Sequence, residues 1–151
     1  MDKTILIEYE HMKNRIKILR ERIRKLEREI EELKEQIASD VVSGGYGENQ
    51  HFKVEGIPSG ILKRKQELLE RRRNHLQKEE LELLKLTNEA EEYIQSIPSY
   101  ELRNMFDFYY IQNMGWAKVA YRMNCLYPKR RTPYTEESCR QRNKRFFDKI
   151  K

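Results

Sequence analysis

The chain has 151 residues, a formal net charge of +6, 37% charged residues and a mean hydropathy of −0.96. The longest aliphatic run near the N-terminus is Ile5-Leu6-Ile7, far too short for a membrane span or a signal-peptide core. Two cysteines, Cys125 and Cys139, are too few for a disulfide framework, so a reduced, cytoplasmic protein is expected.

The charge is unevenly spread. From Pro98 to Lys151 there are 12 Lys+Arg against 5 Asp+Glu, a net of +7, whereas Met1 to Ile97 holds 19 against 20, a net of −1. A localised basic module seeks polyanions, and the near-neutral remainder needs another role. The apolar residues are periodic, which argues for long helices with solvated faces rather than disorder.

Thr4 to Ala38 is predicted to be one helix. Tyr9, Met12, Ile16, Leu19, Ile23, Leu26, Ile30, Leu33 and Ile37 alternate spacings of three and four, the a/d pattern of a coiled-coil seam. Ser39 to Gly60 reads as a Gly-rich connector, with His51 to Val54 able to form a short strand against Val41-Val42. A second long helix is predicted from an N-cap at Ser59 to about Ser96, with Leu62, Leu69, Leu76, Leu83, Ala90 and Ile97 recurring every seven residues. Its companion positions Lys65, Arg72 and Glu79 are polar, so this seam is weaker. Both helices are basic early and acidic late. Antiparallel packing sets each basic block against the other's acidic block, which favours a hairpin with the connector at its tip. Ile at a with Leu at d also suits self-association, and a dimer of hairpins would satisfy both signals.

Pro98 ends the second helix, and Ser99 can cap a new one with Glu101 in its first turn. Leu102, Met105, Phe106 and Tyr109 give that helix an apolar face, closed by Asn113-Met114-Gly115. A short helix from Trp116 to Met123 carries Val119 and the small residue Ala120, and Asn124 is placed to end it in the left-handed conformation. After a basic connector from Cys125 to Pro133, Thr135 caps a last helix on which Cys139, Asn143, Phe146 and Ile150 share one face. The predicted fold is therefore all-α: a long antiparallel helical hairpin over 1–97, with its tip at 39–60, then a three-helix head over 98–151. Trp116, Phe106 and Tyr109 are expected at the head's centre, so that Trp116→Ala would unfold it.

Three short helices with a small residue in the second and a basic third describe a helix-turn-helix. A helical wheel sets Glu137, Gln141, Lys144 and Arg145, with Arg140 at the edge, opposite the core face of the last helix. An amide can bond adenine, and a cation can reach guanine or phosphate. Thr135 and Ser138 in the leading turn, and Lys129, Arg130 and Arg131 in the connector, complete the candidate contacts.

The segments YIQSIPSYELRNMFDFYYIQNMGWAKVAYRMN and YTEESCRQRNKRFFDKI resemble the C-terminal part of phage late-gene transcriptional regulators of the RinA/ArpU type, most specifically at Trp116-Ala117-Lys118-Val119-Ala120. The stretch SGGYGENQHFKVEGIP between two long helices resembles a related phage family with the same ending. The first resemblance implies a head like region 4 of sigma factors, binding promoter DNA in a bacterial host cell, and a hairpin for dimerisation or contact with RNA polymerase. The chain departs from the pattern at Cys125 to Tyr134, where a helix-turn-helix usually has three or four residues.

Other chemistry finds little support. Gly44-Gly45-Tyr46-Gly47 lacks the Lys-Ser/Thr ending of a phosphate loop and is read as a flexible tip, with Tyr46, Phe52 and Ile57 as the alternative anchors of a docking surface. His11, His51 and His75 form no ligand spacing with the cysteines, so neither metal nor cofactor is expected. No catalytic constellation stands out, and no small-molecule substrate or membrane is expected. Duplex DNA and a second copy of the chain are the expected partners. A DNA-packaging recognition subunit and a scaffold binding an acidic partner are the alternatives.

Overall fold

The computed structural model describes residues 2–43 and 48–149, with side chains outside 40–59. Five α-helices are present among them: α1 (Thr4–Ser43), α2 (Glu48–Ser96), α3 (Tyr100–Phe106), α4 (Trp116–Leu126) and α5 (Glu136–Asp148). A π-helical turn, Asp107–Ile111, continues α3. No strand occurs among the described residues, so the protein has the expected all-α class, a helical hairpin followed by a small helical domain. None of the described helices is long and apolar enough to cross a membrane.

The chain forms two compact units, 13–82 and 1–12 with 83–151. In the first, Ile16, Leu19, Ile23, Leu26, Ile30 and Leu69 are buried, and Leu62, Leu68 and Leu76 pack half-buried against them. Leu33 is half-buried. Ion pairs flank this seam: Arg20 with Glu80 at 3.0 Å, Glu27 with Arg73 at 3.4 Å and Glu29 with Lys65 at 3.4 Å. Partners on α2 fall in number as those on α1 rise, so the helices run antiparallel, as the charge order predicts. The interruption at Lys65 costs little, because its stem lies along the seam while its ammonium reaches Glu29.

The expected connector is corrected. α1 runs to Ser43 and α2 begins at Glu48, eleven residues before the predicted cap at Ser59, and His51 to Val54 is helical, not a strand. Once nucleated, a helix gains a hydrogen bond for each residue added, and an antiparallel link closes in a few residues. Gly56, Pro58 and Gly60 are therefore not enough to stop α2. The expected tip residues Gly44 to Gly47 lie outside the described residues, as do the side chains of Phe52 and Ile57.

The second unit has a larger core. α1 contributes Leu6 and Tyr9, and α2 contributes Ala90, Tyr93, Ile94 and Ile97. Met105 and Phe106 from α3, Phe108 and Tyr110 from the π turn, Val119, Ala120 and Met123 from α4, Tyr134, and Cys139 from α5 complete it. Leu83, read as hairpin seam, packs here instead. Leu102, Tyr109, Trp116 and Phe146 line the core half-buried, and Ile150 lies outside the described residues. The i→i+5 pattern of the π turn rotates the side chains that follow, so Phe108 and Tyr110 turn inward where an uninterrupted α-helix would favour Tyr109.

The ends of the short helices follow local chemistry. Ser99 caps α3 by accepting from the Leu102 amide at 3.3 Å. Asn113 takes the left-handed conformation, φ 58°, that closes the π turn. The expectation for Asn124 is corrected: α4 continues through it to Leu126, because its side chain is bound elsewhere. At the other end of the chain, buried Lys3 donates its ammonium to the Phe147 carbonyl, a favourable place for a cation beside the C-terminus of α5.

Candidate nucleic-acid interface

α5 is fixed at its start and along one face. Thr135 and Ser138 form a reciprocal capping box: the Ser138 amide donates to Thr135 Oγ1 at 3.0 Å, and the Thr135 amide donates to Ser138 Oγ at 2.9 Å. Both hydroxyls expected to meet DNA therefore serve the cap. Cys139 is fully buried, Asn143 accepts from the Tyr110 hydroxyl at 2.7 Å, and Phe146 meets Phe106 edge-on at 4.9 Å. Burial pushes the Tyr110 hydroxyl and the Cys139 thiol up, so both stay protonated and neutral.

The opposite face carries Glu137, Arg140, Gln141, Lys144 and Arg145, all exposed as the wheel places them. Its first half is internally bonded. Arg140 bridges Glu136 at 2.9 Å and Glu137 at 3.0 Å, and the Gln141 amide donates to Glu137 at 3.0 Å. Gln141's hydrogen bond, with help from the Arg140 charge, holds the Glu137 carboxyl below the usual carboxylate range. Lys144 and Arg145 have no side-chain hydrogen bond or ion pair among the described residues. The outward cations thus lie in the second half of α5, with an acid-clasped Arg140 and Gln141 before them.

The connector before α5 is pinned. Asn124 donates its amide to the Tyr134 carbonyl at 2.8 Å and accepts from the Tyr134 amide at 2.7 Å. The Tyr134 ring is buried, and its hydroxyl donates to Glu101. Arg130 reaches Glu101 at 2.7 Å, Arg142 reaches it at 3.5 Å, and both guanidiniums lie over the Tyr134 ring. Arg130, read as a phosphate clamp, is instead half-buried in this strut, while Lys129 and Arg131 remain exposed. Sequence reasoning missed Glu101, Asn124, Tyr134 and Arg142 as a group. The available signal was an aromatic ring between Pro133 and Thr135, directly after the polar run from Lys129 to Thr132.

Tyr134's hydrogen bond holds the Glu101 carboxyl below its ordinary range; partial burial opposes it, and Arg130 and Arg142 assist. The Tyr134 hydroxyl is pushed up to about 12, by burial first and then by its bond to Glu101. A carboxyl whose pKa is depressed by folding stabilises the fold above its unfolded value, about 4.3 for Glu, and that contribution is lost as pH falls from there through the folded value. The thermal midpoint of the head should therefore drop more steeply below about pH 4.3 in the native protein than in Glu101→Gln. Parallel profiles from pH 6 to 3 would show that Glu101 is not the titrating strut.

Among the described residues no group of His, Cys, Asp and Glu side chains is arranged to hold a metal ion. Cys125 is exposed and Cys139 buried. What the head offers a ligand is a capped, core-anchored helix with amide and cationic side chains in solvent, beside a pinned basic connector. No family model, curated protein or solved structure matches the chain.

Proposed function

We propose that the protein is a sequence-specific DNA-binding regulator of phage or prophage transcription, with α5 as the recognition helix and the hairpin as an arm for dimerisation or contact with the transcription machinery. One observation carries the reading: α5 is fixed to the head through Cys139, Asn143 and Phe146, while Gln141, Lys144 and Arg145 stand in solvent on its other side. A helix held rigidly on one face and polar on the other suits insertion into a major groove. Lys129 and Arg131 are available to the flanking phosphates, and the net +7 of the segment from Pro98 onward supplies attraction at a distance. The likeness to late-gene regulators supports the transcriptional role, and binding without catalysis fits the same features.

The test is genomic binding-site mapping with the native protein and with Gln141→Ala/Lys144→Ala. The native protein should enrich discrete sites, and the double variant should lose them, with affinity for an enriched site falling about tenfold or more, because each good base contact is worth about 1–3 kcal/mol. Equal enrichment by both proteins would remove α5 as the reader.

A further inference from the structure

The unit 13–82 holds a groove of about 340 Å³ between α1 and α2, and its charge is one-sided. Arg15 and Arg22 rim it from α1, Arg71 and Arg72 from α2, Leu19 and Ile23 form its floor, and His75, 3.8 Å from Glu79, completes the lining. Three other cations of the hairpin have a carboxylate partner on the facing helix: Arg20 with Glu80, Lys65 with Glu29 and Arg73 with Glu27. The four groove arginines have neither an ion pair nor a side-chain hydrogen bond among the described residues. In a chain with 25 acidic residues, four guanidiniums gathered from two helices with no carboxylate paired to any of them repel one another. Arg72 also takes a seam position where an apolar side chain would pack better, its stem half-buried.

We propose that this groove holds the phosphates of a nucleic-acid backbone, giving the hairpin a polyanion-binding surface of its own. Guanidinium forks match phosphate oxygens in a bidentate way, and the four permanently charged side chains here are all Arg, none Lys. Arg15 and Arg22 stand two turns apart, about 10 Å along α1, which suits an extended anion better than a single ion. An acidic protein segment fits less well. Protein partners bind mainly through apolar or aromatic anchors, and the floor residues Leu19 and Ile23 are each only 6% exposed, leaving almost nothing apolar to cover. Backbone phosphates need charge alone. Binding in the groove does not depend on α5 being a reader.

The experiment compares the full-length protein with Arg15→Gln/Arg22→Gln/Arg71→Gln, which keeps Arg72 in the seam, using mixed-sequence duplex DNA over a range of salt. Circular dichroism should show the same helicity and midpoint in both. The slope of log affinity against log salt should fall by about 0.9 for each phosphate that is no longer neutralised, hence by two to three, and it should fall equally in a Gln141→Ala/Lys144→Ala background. An unchanged slope in both backgrounds overturns the proposal. So does a poly-L-glutamate ligand that binds the native protein as tightly as the duplex and weakens as much on substitution, which would assign the groove to an acidic protein. Weaker DNA binding in the groove variant alone, with the α5 variant unaffected, sustains the groove, and the α5 reading then stands or falls on whether its variant loses the mapped sites.

Discussion

Phe106→Ala should unfold the head. The ring is completely buried and meets Tyr110 edge-on at 5.5 Å and Phe146 edge-on at 4.9 Å, so it joins α3, the π turn and α5 at one point. Truncating such a ring removes its burial and leaves a cavity its neighbours cannot fill, a cost of about 3–5 kcal/mol. Against a total domain stability of about 5–15 kcal/mol, that is enough to populate the unfolded head at moderate temperature. The chain's one tryptophan reports it directly, because Trp116 stacks on Tyr109 at 3.8 Å with the rings 10° from parallel. The Trp116 emission transition in denaturant should shift to much lower concentration. A midpoint within error of the native protein would mean that Phe106 does not sit at the centre of the head. Trp116→Ala, expected from the sequence to unfold the head, should cost less. Its ring is half-buried and stacked on one face, whereas Phe106 is enclosed on all sides.

What the residues revealed in advance is what local spacing controls. The seam of α1 follows from apolar residues at intervals of three and four, and the antiparallel direction from the order of charge blocks. The caps at Ser99 and Thr135 likewise join residues three apart, visible in the chain itself. The inner and outer faces of α5 follow from helical period alone. Distant partners were not legible. Leu6, Tyr9 and Leu83 continue the hairpin's periodicity, and nothing in that pattern says that they leave the seam to join the head. Glu101 reads as an acid in the first turn of a helix, and Arg130 as a loop cation. Only the approach of the connector to α3 makes them a pair. The glycines and Pro58 of 39–60 signal a loop by composition, yet α2 runs through Gly56, Pro58 and Gly60. The groove arginines look like the rest of a heavily charged surface until the packing of α1 on α2 brings four of them, two from each helix, to one groove.

Asn124 is the second residue whose loss should be felt widely, although it is neither in the core nor on the outward face of α5. Its side chain satisfies both backbone groups of Tyr134, and Tyr134 is only 4% exposed. In Asn124→Ala those two groups lose their partners where water has poor access. Each such loss costs about 1–3 kcal/mol, against which the better helix propensity of Ala returns roughly half a kcal/mol. A net destabilisation of about 1.5–5.5 kcal/mol is expected. Asn124→Asp, which keeps the acceptor for the Tyr134 amide and loses the donor to its carbonyl, should fall between. The consequence extends beyond stability, because Tyr134 directly precedes the Thr135 cap. With the connector released, amide exchange at Tyr134 and Ser138 should quicken more than at Cys139 or Phe146. DNA affinity should fall in proportion to the lost order, with the outward side chains of α5 all still present. If exchange at Tyr134 and Ser138 matched the native rate, the connector would be held by Glu101 and Arg130 alone, and the ten-residue insertion would not depend on Asn124 to aim the helix that follows it.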